Sequence, residues 1–177
     1  MFVLLVAALL ATAQAVEFHL QNNEPGPVWV GIQGNPEHTH LSNGGLILDQ
    51  GQGVVLQAED NWAGRFWGRT WCDPATNHCQ TGDCGNKIEC AGAGGTPPAS
   101  LAEITLKGWG DLDYYDISLV DGFNMRIAVS GFVVNFDSSL TFVSDSSNPL
   151  METEMVANTV ANVVNALLIS TTTALVN

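Results

Sequence analysis

The sequence predicts an all-β protein, a sandwich of two sheets, and three observations carry that prediction. Apolar and polar residues alternate in short runs, which is the period of a half-buried strand. Gly, Pro and Asn clusters punctuate those runs. Four cysteines, Cys72, Cys79, Cys84 and Cys90, lie within 19 residues, the usage of a small exported domain with local staples. The 177-residue chain carries 5 Lys plus Arg against 18 Asp plus Glu, a net charge of -13. That balance argues against nucleic acid or anionic lipid as a partner, and favours neutral or cationic ones.

The chain opens with Met1, an apolar run from Phe2 to Ala11, and the small-x-small triplet Ala13-Gln14-Ala15. We read residues 1–15 as a signal peptide and the protein as secreted and extracellular. The run is too short to span a bilayer, and the alternating Glu17-Phe18-His19-Leu20-Gln21 follows at once, so no stable membrane insertion is expected. Removing 15 of 177 residues leaves 162, enough for one domain with a sizeable core.

From Val16 to Leu56 the text is strand-like, with Val28-Trp29-Val30-Gly31-Ile32, Leu46-Ile47-Leu48 and Val54-Val55-Leu56 between turn clusters. His38 and His40 would share one face if extended, but Pro36-Glu37-His38-Thr39-His40 reads as a solvated loop with no third ligand in view, so no metal is expected. In Gly64 to Cys72, period two puts Arg65, Trp67, Arg69 and Trp71 on one face. Indole rings stack on sugars and guanidinium groups clamp carboxylates or hydroxyls, so this is a candidate carbohydrate-facing surface. The structural alternative is core tryptophans with arginines in ion pairs.

The cysteines are spaced by seven, five and six residues, unlike the paired C-x2-C geometry of a zinc site, which leaves two disulfides as the simplest reading. After the Gly/Pro-rich loop from Gly92 to Pro98, alternation in Leu101 to Leu106 places Ala102, Ile104 and Leu106 on one face and Glu103 on the other. Asp111, Asp113, Asp116 and Asp121 follow. Asp116 and Asp121 have opposite parity on a straight strand, so they converge only if Val120-Asp121-Gly122 turns or bulges.

These residues resemble a family. Gly64 to Cys72, the run from Cys79-Gln80-Thr81-Gly82-Asp83-Cys84-Gly85 to Cys90, Pro97-Pro98 to Glu103, and Tyr115 to Asn124 are similar to the thaumatin-like, or osmotin-type pathogenesis-related, proteins over about residues 16–129. The resemblance implies a β-sandwich with an acidic cleft that binds β-1,3-glucan of fungal cell walls, with antifungal or weak endo-β-1,3-glucanase activity; we expect a monomer without a cofactor. By motif position it places the family's cleft Arg on Arg65, its Glu on Glu103 and two of its three Asp on Asp116 and Asp121. It also implies the pairings Cys72 with Cys79 and Cys84 with Cys90. Trp67 and Arg69 join Arg65 and Asp116 as expected substrate contacts.

There are departures. Asn22-Asn23-Glu24-Pro25 lacks the cysteine the family commonly has there, and Ala75-Thr76-Asn77-His78 replaces a glycine-rich approach to the second cysteine. The family's cysteine-rich later portion is not found, which leaves the expected fold a truncated sandwich (residues 16–129) followed by an atypical tail (130–177). In that tail, Asn148-Pro149 reads as a helix start, and Val156, Val160, Val163, Val164 and Leu167 share one helical face. The repetitive run from Val156 to Ala166 supports a competing expectation, the product of an unspliced intron or shifted frame. Asp137 and Asp145 are tail candidates for the missing cleft carboxylate.

Glycoside hydrolysis needs one protonated and one ionised carboxyl. The expected pair is Glu103 as acid and Asp121 as base or nucleophile. The alternatives are a non-catalytic carbohydrate-binding or antifungal module and a non-functional truncated or frame-shifted product.

Overall fold

Ten short strands, most of them carrying β-branched or aromatic residues, build two sheets in a computed structural model that describes residues 16–130 and 133–136. They are β1 (Val16–Asn22), β2 (Val28–Gly34), β3 (Gly45–Leu48), β4 (Gly53–Ala58), β5 (Ala63–Asp73), β6 (His78–Thr81), β7 (Leu101–Thr105), β8 (Tyr114–Ser118), β9 (Ile127–Ser130) and β10 (Val133–Phe136). One sheet has the order β4-β1-β10-β9; the other runs β3-β2-β5-β7-β8, with β6 pairing the far end of β5. All pairs are antiparallel except β1 with β10. The expected all-β sandwich is therefore the observed architecture. The expected signal peptide and the readings made for residues 137–177 lie outside the described residues.

Alternation decides what each face buries. The inward residues of both sheets, among them Phe18, Leu20, Val30, Ile32, Phe66, Ala102, Ile104, Val134 and Phe136, form the main core between the sheets. At its centre Phe18, Trp62 and Phe66 pack with ring centroids 5.2–5.3 Å apart. Trp62 Nε1 donates to Thr39 O at 2.9 Å, so burying this indole leaves no donor unpaired.

The outer face of the larger sheet is covered too. Trp67, Cys84, Cys90, Ala99 and Leu101 form a second, smaller cluster there. The cover is the segment after β6, closed by disulfides Cys72–Cys79 and Cys84–Cys90, the two pairings the family resemblance implies. Gly31 makes the cover fit: it faces Trp67 across the β2–β5 pair, and a Cβ there would lie 2.1 Å from the indole.

Candidate functional site

Register brings the site together. In the larger sheet, Arg65 of β5 pairs with Glu103 of β7, and Glu103 pairs with Asp116 of β8. Ala102, Ile104 and Leu106 point into the main core, so Glu103 points outward, and Arg65 and Asp116 share its face. Three charged side chains thus form one row across three neighbouring strands, beyond the edge of the disulfide cover.

Arg65 Nη2 lies 3.4 Å from Glu103 Oε1, and both side chains remain about one third exposed (33% and 34%). Arg65 Nε is buried and donates to no group among the described residues, a donor left over beside the row. Asp116 keeps an exposed surface, yet protein on one side strips part of its hydration. That desolvation, with Glu103's like charge behind it, pushes the Asp116 pKa up. The row therefore holds an ion pair next to a carboxyl that keeps its proton to higher pH than an isolated aspartate.

Asp121 sits elsewhere, on a turn past the end of β8. Gly122 N donates to Leu119 O at 3.0 Å, closing a turn through Val120 and Asp121, and Gly122 takes a φ of 88° that favours glycine. This is the bend that the opposed parity of Asp116 and Asp121 requires. The turn is tied to the entry of β7: Ala99 N donates to Asp121 O at 2.9 Å, next to the cis peptide Pro97–Pro98.

Two expected contacts need correction. Trp67 and Arg69 share a face with Arg65, as alternation requires, but the disulfide segment lies over them. Trp67 is fully buried and its Nε1 donates to Gly82 O at 2.9 Å. Arg69, 2% exposed, donates to the carbonyls of Trp29, Val30, Lys87 and Ile88 and lies over the Trp29 ring at 5.6 Å. Burial lowers its pKa to about 10, against the opposing pull of Asp83, so it remains a cation at neutral pH. These two residues lock the cover to the sheet, and their buried side chains are engaged in those contacts.

Sequence reasoning missed Asn124, which fastens the Asp121 turn. Its Nδ2 donates to Gly68 O (2.8 Å) and Thr81 Oγ1 (2.9 Å), and its Oδ1 accepts from Ser100 N (2.9 Å). The residue was visible only as one letter of a motif; nothing in its spacing marks a clamp. Among the described residues, no group of three His, Cys, Asp or Glu is placed to hold a metal. His40 is occupied in its own loop, where its Nδ1 accepts from Gly34 N at 3.1 Å.

The Thaumatin family model matches residues 22–166 of the chain. A pathogenesis-related thaumatin-like protein 3.5 from Cryptomeria japonica is 48% identical over 121 residues, 67% of this chain and 49% of that protein. A thaumatin-like protein from Arabidopsis thaliana is 43% identical over 132 residues, 73% of this chain and 54% of that protein. The solved structure of the thaumatin-like xylanase inhibitor TLXI aligns with 62% of this chain and 72% of its own, at 27% identity and a TM-score of 0.49. The chain spans about half the length of the curated relatives it matches.

Proposed function

The chain belongs to the thaumatin family, and from that membership and its row of charged side chains we propose that it is a secreted defence protein that binds β-1,3-glucan in an acidic cleft. The observation that carries the reading is the register of β5, β7 and β8, which sets Arg65, Glu103 and Asp116 side by side on an uncovered face. A neutral polyhydroxyl chain suits that row: carboxylates accept its hydroxyl hydrogens, and the partly exposed Arg65 guanidinium supplies donors. A polyanion is opposed by the net charge of -13.

The test is retention of the full chain on insoluble β-1,3-glucan. The double variant Arg65→Ala, Asp116→Asn should wash through while the parent is retained; equal retention of the two would overturn the reading.

Hydrolysis is a second reading, favoured by outward carboxyls on neighbouring strands, because a glycosidase needs one carboxyl as acid beside a second as base or nucleophile. Glu103 as acid and Asp121, on the turn past β8, as base or nucleophile form the proposed pair, with Asp116 beside Glu103 in the row. Glu103→Gln should abolish release of new reducing ends while glucan retention persists. Absence of any release by the parent would leave a binding module, acting on fungal walls without bond cleavage.

A further inference from the structure

Six residues along β5 from Arg65, about 20 Å in an extended strand, the described residues form a groove of about 680 Å³. That lies inside the range of about 300–1,000 Å³ usual for ligand sites. Buried Trp29 lies in it, exposed rings of Trp71 and Phe123 stand along it, and Glu24, Thr70 and Arg126 supply polar groups.

Trp71 is the unusual member. Thr70 pairs with Thr81 and Cys72 with Cys79, but Trp71 between them has no ladder partner and takes a φ of 55°. A bulky side chain in the left-handed region costs about 1–3 kcal/mol and persists where its surroundings over-determine it. Here the Cys72–Cys79 disulfide adjoins it. Burial does not offset that cost, because Trp71 is 78% exposed and Phe123 58% exposed. The fold therefore leaves two aromatic rings in water beside a groove, one of them on a strained backbone.

We propose that this groove is a second glycan-binding site, in which Trp71 and Phe123 stack on the C–H faces of sugar rings and Glu24, Thr70 and Arg126 bond their hydroxyls. The chemistry selects that occupant. An acyl chain would strip water from Glu24 and offer it no hydrogen bond in return. An anion meets the charge of the whole molecule, and a cation meets Arg126 in the groove. A neutral sugar satisfies both rings and polar groups. The glucan class rests on the function proposed above, but the site is separate from the acidic row, and two sites on one domain would hold a polymer more tightly than either alone.

Indole emission reports on the groove, since Trp71 and Trp29 line it, Trp62 and Trp67 are buried elsewhere, and the other exposed indole, Trp109, can be replaced. In full-length Trp109→Phe protein, titration with a soluble β-1,3-gluco-oligosaccharide should change the emission saturably. Adding Phe123→Ala should weaken that binding by about tenfold. Arg65→Ala, Asp116→Asn should leave it unchanged, so this proposal and the acidic-row reading can be lost independently. No saturable change, an unchanged affinity in Phe123→Ala, or a signal that follows protein concentration alone and so reports a second copy in the groove, would each overturn the proposal.

Discussion

Two influences of the same sign act on Asp116, and the direction of their effect can be measured. Loss of hydration is the larger and the charge of Glu103 the smaller; both raise its pKa. A carboxyl whose folded pKa is raised binds its proton more tightly in the folded state. Its contribution to stability is therefore fully present below the unfolded value and is lost as pH rises through the folded one. Asp116→Asn should consequently stabilise the fold at neutral pH, and the gain should shrink towards acid when urea midpoints are compared between about pH 3 and pH 7. A constant difference across that range would mean that the proton on Asp116 is not the cause. Glu103→Gln removes the second influence only, so a carbon-13 titration of the Asp116 carboxyl should move towards the ordinary aspartate value and stop short of it.

Strands β1 to β5 and β7 were legible from alternation, and so were their faces: Glu103 lies opposite Ala102 and Ile104, as period two requires. Strands β6, β9 and β10 were not read as strands, and β10 falls in the expected tail. What covers a face was not legible. Trp67 and Arg69 were placed on the right side of β5, yet their burial depends on a disulfide segment whose path no local pattern encodes. Nor does the alternation in β5 announce the positive φ at Trp71, which leaves that residue out of the β5–β6 ladder while Thr70 and Cys72 on either side stay in it. The row of Arg65, Glu103 and Asp116 needed strand register, which joins residues far apart in the chain. At this scale Arg69 is the residue to change. Its guanidinium joins carbonyls of β2 to those of the disulfide segment, and a lysine ammonium cannot reproduce that planar fork. Arg69→Lys should lose at least about 3 kcal/mol in urea unfolding, since each buried carbonyl left unpaired costs about 1–3 kcal/mol. A loss under about 1 kcal/mol would mean that water or lysine fills the gap.

The whole molecule depends on a join between its first and last described strands. β10 lies between β1 and β9, so the smaller sheet exists only when residues 133–136 reach β1 at residues 19–22. Phe136 is the anchor of that join. Its ring is fully buried in the main core, it faces Ile127 across the β9 pair, and its carbonyl accepts from Asn23 N at 2.9 Å. Truncating such a ring costs about 3–5 kcal/mol through lost burial and the cavity left behind. A domain of this size has only about 5–15 kcal/mol in reserve. Phe136→Ala should therefore lower the urea midpoint of the full chain steeply while the denaturant slope stays that of one cooperative unit. The larger sheet carries Arg65, Glu103 and Asp116 and does not contain β10. If it could stand without the smaller one, the variant would melt in two steps, with the Asp116 titration surviving the first. A single transition that takes the row with it is the expected result, because Phe18, Phe66 and Phe136 belong to one core shared by both sheets.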